Sequence, residues 1–344
     1  MLNRVEILVD RLKENIKQVR AKNPNSLVCA MVKANAYGVG DYQVVKAIND
    51  DVDYFGVACF FEAEKIKKHT NKKILIVGPL EHTKFDARFS YSCSSVEDVL
   101  TLAQLHKRIN VHLKVNSGMN RYGFSSVAEF KKAVKIIENS KLNLEGIFTH
   151  YATIDDYVER QTEVFKKFLS AIKNTKFKPI IHADNSAVNV CKNHHFNMVR
   201  IGFNLYNNLQ KNNGLVEKIY AKITQINHVK IGELVGYNRR FVAYKNTKIA
   251  VVSVGYADGF LLEYLGINLN IKNTPCKVLN ICMDCFMFDA SKIKIDVGEE
   301  IEILGDVNTP ETYANFVKTS PYQVLTNFGN IRAKKETKNK KIKK

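Results

Sequence analysis

"LVCAMVKANAYGVG", residues 27–40, is the stretch on which the reading of the fold turns. An apolar run ends on Lys33 and breaks at once into small residues, Tyr37 and two glycines. Such a run, rich in Val and bounded by Gly, predicts a buried strand followed by a tight turn. Lys33 then has two readings. It is a strand-end lysine whose stem lies along apolar surface, or an amine held at a pocket mouth and made nucleophilic by partial desolvation or neighbouring positive charge. The small residues that follow leave room for a planar ligand, and Tyr37 brings a hydroxyl about one helical turn further on.

Further candidate strands lie near 54–58, 74–78, 87–92, 111–115, 144–149, 179–182 and 198–201. Amphipathic patterns such as "SVEDVLTLAQLHK" and "DYVERQTEVFKKFLSAIK" fall between them, and Leu8, Leu12, Ile16 and Val19 form one helical stripe near the start. Eight strands separated by helices give an α/β class and fit a closed (β/α)8 TIM-like barrel over residues 1–214 as well as an open sheet. No G-x-G-x-x-G follows a strand, which disfavours a doubly wound dinucleotide fold. Lys33, His150, His182 and Arg200 fall at or just beyond the C-terminal ends of different strands, the face on which barrels build active sites. From about residue 215 the texture becomes strand-like with Gly and Asn turns, predicting a mostly β domain over 215–333. The basic segment 334–344 reads as a solvated, disordered tail.

Composition narrows the function classes. Apolar content of 45% and charged content of 25% fit a soluble globular chain. No apolar stretch has the roughly 20 residues of a membrane helix. Acidic residues interrupt the opening "MLNRVEILVDRLKENIK", which therefore reads as no secretory leader and predicts cytoplasmic residence. The formal charge of +18 comes mostly from scattered Lys, without the Arg–aromatic interleaving of a nucleic-acid surface, so no specific nucleic-acid partner is expected. Seven cysteines include one close pair, Cys282 and Cys285, with no second pair or histidine cluster to complete a metal site.

A phosphate group needs several donors. "RIGFNLY", residues 200–206, offers backbone N–H groups around Gly202 and Phe203 at a strand-to-helix turn, and Ser186 in "HADNSAV" adds a hydroxyl. Arg200, if directed inward, is a permanent cation facing a ligand nitrogen or carboxylate; otherwise it joins a salt bridge. His150 and His182 are either core histidines or site groups. In the second domain Tyr256 sits in a Gly-flanked loop, and Cys282, Met283 and Asp284 follow another apolar run. These read equally as a turn tyrosine and a core sulfur stripe. Residues alone thus point to a phosphate-bearing cofactor pocket with no reaction assigned.

Seven segments in order, "MVKANAYGVG", "LKVNSGMNRYGF", "GIFTHYA", "HADNSA", "MVRIGFNLY", "VSVGYADG" and "ICMDC", resemble the alanine racemases, pyridoxal-phosphate enzymes built from a barrel and a C-terminal β domain. The resemblance covers nearly the whole chain and implies racemisation of alanine in the cytoplasm, supplying D-alanine for peptidoglycan. It implies that Lys33 holds the cofactor as an internal aldimine and serves as one base. Tyr256, reaching in from the partner subunit of a homodimer, would be the opposing base. Tyr37, Ser186, Tyr322 and the Gly202–Phe203 backbone look like the phosphate contacts. Arg200 looks like the donor to the pyridine nitrogen, with His182 behind it and His150 packed against the ring. Arg121 and the Met283 backbone of the partner subunit are similar to the substrate-carboxylate clamp. Asp284 lies behind that clamp, and Lys114 matches a lysine that is carbamylated in some relatives. The same apparatus acting on serine or longer side chains is the alternative, followed by a non-catalytic pyridoxal-phosphate carrier. Four departures, Asn238, Phe260, Asn280 and Cys285, are expected to reshape the entrance.

Overall fold

The computed structural model describes residues 2–183, 196–208 and 214–339. Two compact units emerge, one from Lys13–Ala34 and Val44–Leu205, the other from the segment up to Leu12, Asn35–Gln43 and everything from Tyr206 onward.

The first unit holds eight parallel strands among its described residues: Leu27–Met31, Tyr54–Val57, Lys73–Ile76, Phe89–Cys93, Asn110–Lys114, Asn143–Phe148, Ile180–His182 and Met198–Ile201. From Leu27–Met31 to Ile180–His182 each pairs with the next in sequence, and Leu27–Met31 also pairs with Met198–Ile201. Asn197 links the remaining two strands. Its N–H donates to the Ile181 carbonyl (2.9 Å), and its side-chain oxygen accepts from the Ile181 N–H (3.0 Å). The result is a TIM-like barrel whose strands occupy the eight positions read from the sequence. Two of its helices, Val96–Ala103 and Val127–Glu138, start where a serine satisfies one of their first N–H groups. Ser95 accepts from Asp98 N–H (3.1 Å) and Ser126 from Glu129 N–H (3.4 Å).

One strand carries an unusual gap. A Cβ on Gly146 would lie 2.1 Å from His112 Nδ1, and the His112 ring is fully buried. That ring is anchored by hydrogen bonds at both nitrogens and has no room to retreat. Gly146→Ala should therefore lower folding stability by about 2 kcal/mol through overpacking. Urea unfolding checks this; an unchanged midpoint means the ring moves freely.

In the second unit the long strand Glu217–Val229 pairs antiparallel with Asn3–Leu8, Glu300–Leu304 and Thr247–Val252 along its length. Two readings change here. Residues Asn3–Leu8 form a strand and the helix starts at Val9, so Leu8 leaves the helical stripe while Leu12, Ile16 and Val19 remain buried on it. The alternating burial of Val5 and Ile7 against "VEIL" is a strand period, which the adjoining apolar stripe disguises. The tail also orders in part. Lys334–Lys338 is a strand running parallel to Asn3–Leu8, and Lys335 donates to the carbonyls of Gly38 and Val39. No helix among the described residues is long and apolar enough to cross a membrane.

Candidate active site

At the mouth of the barrel, Lys33 opens the turn after Leu27–Met31, Lys114 ends Asn110–Lys114, and His150 follows Asn143–Phe148 by two residues. His182 ends Ile180–His182, and Arg200 lies within Met198–Ile201. All belong to the C-terminal strand ends, and the structure brings them together. Burial and the positive charges of Arg121 and Arg200 lower the Lys33 amine below its ordinary range, with Glu62 acting the other way. Burial and the charges of Arg121, Arg200 and Lys33 pull Lys114 down to about 8. His150 is held neutral by burial and by the same cations. Three cationic side chains, Lys114, Arg121 and Arg200, grouped with a partly desolvated amine are an electrostatic fit for an anion bearing a carbonyl.

Arg200 is buried and held from several directions. It donates to the carbonyls of Thr149 (2.8 Å) and Ala183 (3.0 Å), to His150 Nδ1 (3.3 Å) and to His182 Nδ1. Phe148 lies beneath: its ring stacks on His182 (centroids 4.8 Å, 7°) and carries Arg200 at 5.2 Å and Lys114 at 5.6 Å. Arg121 stands at the exposed tip, 120–122, of the loop 116–123. The Asn116 side chain orders that loop, accepting from the N–H groups of Gly118 (3.2 Å) and Asn120 (2.9 Å).

The turn that begins at Lys33 is left-handed. Ala34, Asn35, Ala36 and Tyr37 have φ of 51°, 53°, 54° and 56°, a conformation that disfavours L-residues by about 1–2 kcal/mol each. Local bonds over-determine it. Ala34 N–H donates to Glu62 (2.6 Å), Gly40 N–H to the Asn35 carbonyl (2.9 Å) and Asp41 N–H to the Asn35 side chain (3.1 Å). The sequence shows the turn but not its hand. Strain of this kind concentrates at functional sites.

Within the second unit Tyr37 packs against Tyr206 (5.0 Å between centroids) and Tyr322 (6.3 Å). Gly202 and Phe203 form the expected strand-to-helix turn, between Met198–Ile201 and the short helix Phe203–Tyr206. Ser186 lies outside the described residues.

Tyr256 and Met283 share one ledge. Tyr256 N–H donates to the Cys282 carbonyl and Ala257 N–H to the Met283 carbonyl, both at 3.0 Å. A Cβ on Gly255 would lie 2.3 Å from the Met283 carbonyl, so glycine is what allows the two loops to touch. Arg332 clamps the pair. It grips fully buried Asp258 at both carboxylate oxygens (2.8 Å each) and bridges to Asp284 (2.8 Å). Tyr256 and Met283 themselves stay 40% and 53% exposed, available to another surface.

The departures Phe260 and Asn280 do not shape an entrance. Phe260 is fully buried and stacks on Phe286 (4.3 Å, 9°), while Asn280 is buried and donates to the carbonyls of Val235 (3.2 Å) and Tyr237 (3.3 Å). Asn238 stands at φ 59°, which asparagine tolerates better than most residues. Sequence reading missed Tyr206, Phe148, Arg332 and the buried His112 and Glu145. The signal for the last two was a polar residue inside an apolar strand, "VHLKV" and "LEGIF", which also fits a solvated face.

Comparison with known proteins matches residues 7–209 to a family model described as alanine racemase, N-terminal domain, and residues 216–336 to alanine racemase, C-terminal domain. Alanine racemase of Limosilactobacillus fermentum is 30% identical, over 95% of this chain and 96% of its own. That of Helicobacter pylori is 31% identical, over 94% and 95%. The solved alanine racemase of Clostridium difficile superposes with a TM-score of 0.91 at 28% identity, covering 99% of this chain and 96% of its own.

Proposed function

Because this chain belongs to the alanine racemase family, we propose that it interconverts L- and D-alanine with pyridoxal phosphate as cofactor. One observation carries the reading: an amine with a lowered pKa, set among Lys114, Arg121 and Arg200 at the barrel mouth. The residues fit the cofactor. A neutral amine is the nucleophile its carbonyl requires, the tyrosines Tyr37 and Tyr322 offer hydroxyls to its phosphate, and Arg200 offers N–H donors to its ring nitrogen. Bound there, pyridoxal phosphate supplies the sink for the electron pair left when the α-proton departs.

The chain's own side chains do the rest. Arg121 and the Met283 backbone of the partner subunit hold the substrate carboxylate. Lys33 carries the proton on one face of the α-carbon, and Tyr256 of the partner subunit carries it on the other. Two bases on opposite faces exchange the proton without turning the substrate over. The exposed ledge bearing Tyr256 and Met283 supports a shared site in a homodimer. Asp284, tied to Arg332, steadies the ledge.

Incubating the purified protein with each alanine enantiomer in deuterated water tests the reading. We expect a cofactor absorbance band and α-deuterium incorporation from both enantiomers. A band without exchange would make the protein a carrier, and faster exchange with serine or lysine would shift the substrate.

A further inference from the structure

The interior of a (β/α)8 barrel is ordinarily filled by branched apolar side chains. Here a file of polar groups runs through it. Lys73, the first residue of its strand, donates to Glu145 Oε1 (2.5 Å), and Ser90 donates to Glu145 Oε2. Glu145 Oε2 lies 3.1 Å from His112 Nε2, His112 Nδ1 lies 2.8 Å from His182 Nε2, and His182 Nδ1 meets Arg200. Both imidazoles are fully buried. The file starts among the N-terminal strand ends, where the Lys73 side chain is half exposed, and finishes at the catalytic face.

Donor chemistry gives the file one direction. A guanidinium has only donors, so His182 Nδ1 must accept and its proton sits on Nε2. That proton points at His112 Nδ1, which must accept in turn, leaving the His112 proton on Nε2, where it meets the Glu145 carboxylate. Protonating either ring sets two donors face to face. Burial would raise the Glu145 carboxyl, but the bonds from His112, Lys73 and Ser90 prevail and hold it at about 2. Burial and, for His182, the Arg200 charge keep both imidazoles on the neutral side. Gly146 is the space that lets the His112 ring lie in line.

We propose that Glu145 and His112 are positioning residues that set the tautomer of His182 and thereby hold Arg200 as the donor to the cofactor's ring nitrogen. The proposal rests on the reading of Arg200 given above. It makes a group at the far end of the barrel govern the electronic surroundings of the cofactor. Glu145→Gln reverses the file. Lys73 offers only donors, so the amide oxygen turns to it and the amide nitrogen faces His112 Nε2. The His112 proton then moves to Nδ1, His182 is forced to carry its own on Nδ1, and that N–H confronts the Arg200 donors.

Histidine-selective 15N spectra of the holoenzyme read the tautomers directly. In the unaltered protein His112 and His182 should both carry Nε2–H and show no titration between about pH 5.5 and 8.5. This arm needs no substitution, and a doubly protonated or Nδ1–H ring at either position overturns the proposal. The second arm measures affinity for pyridoxal phosphate and for its analogue with C–H in place of the ring nitrogen. Glu145→Gln should weaken the natural cofactor about tenfold and the analogue less than about twofold. Equal weakening of both, or of neither, refutes the positioning role; Glu145→Asp, which keeps the acceptor, should restore the wild-type ratio. Arg200→Lys is the control for the underlying reading. If Arg200→Lys leaves the ratio of the two affinities as in wild type, Arg200 does not face the ring nitrogen, and that failure is visible apart from the tautomer spectra.

Discussion

Lys33→Ala should reduce racemisation by roughly four orders of magnitude while leaving the fold intact. The expectation has two parts. Lys33, like Lys114, is an amine whose ordinary charge is suppressed by burial and neighbouring cations, and in the reaction proposed above its loss removes both the covalent anchor and one of the two bases. It also heads a turn whose left-handed backbone is fixed by bonds from Ala34, Gly40 and Asp41, none of which uses the Lys33 side chain. Circular dichroism and the unfolding midpoint should therefore match the parent. Borohydride treatment of the parent should fix the cofactor covalently to the peptide containing residue 33, and the variant should show no such adduct. Activity retained within about tenfold in the variant would remove Lys33 from the chemistry and leave it a strand-end lysine.

Tyr256→Phe is expected to separate the two directions of the reaction. If the phenol serves the face opposite Lys33, its removal should slow α-proton loss from L-alanine by about 100- to 1000-fold and from D-alanine by less than about tenfold. Phenylalanine keeps the ring, and the ledge is held by backbone bonds to Cys282 and Met283 and by the Arg332 clamp, so the loop should stay in place. Separate deuterium-exchange measurements on each enantiomer read the asymmetry. Equal losses in both directions count against opposed bases. Mixing Tyr256→Phe with Lys33→Ala subunits should restore some activity, because a mixed dimer holds one site with both residues. A verified mixed dimer without activity would sink the shared site.

Much of the barrel was legible because most of its strands are short apolar runs closed by a turn signal, and parallel strands buried on both faces have no competing period. The N-terminal strand was not, since "VEIL" runs without a break into the helical stripe of Leu12, Ile16 and Val19. The tail misled through composition. Five consecutive residues with three lysines look solvated, yet alternation lets Lys335 turn inward to Gly38 and Val39 while Lys334 and Lys338 face water. At the site, the strand-end residues announced themselves by position. The polar file behind Arg200 did not, because a histidine or glutamate inside a strand is ambiguous until the partner strands are known. Arg332 was invisible for a different reason: its partners Asp258 and Asp284 are distant in sequence and brought to it by the fold.

The parallel pairing of Lys334–Lys338 with Asn3–Leu8 bears on how the protein can be handled. With the C-terminal segment trimmed away, Asn3–Leu8 becomes the border of its sheet, presenting a row of unsatisfied N–H and C=O groups that invites other chains to add on. The strand Lys334–Lys338 therefore guards against self-association as well as carrying charge. Truncation at residue 333 is a poor way to ask what that charge does, and reversing lysines individually outside position 335 is the better one.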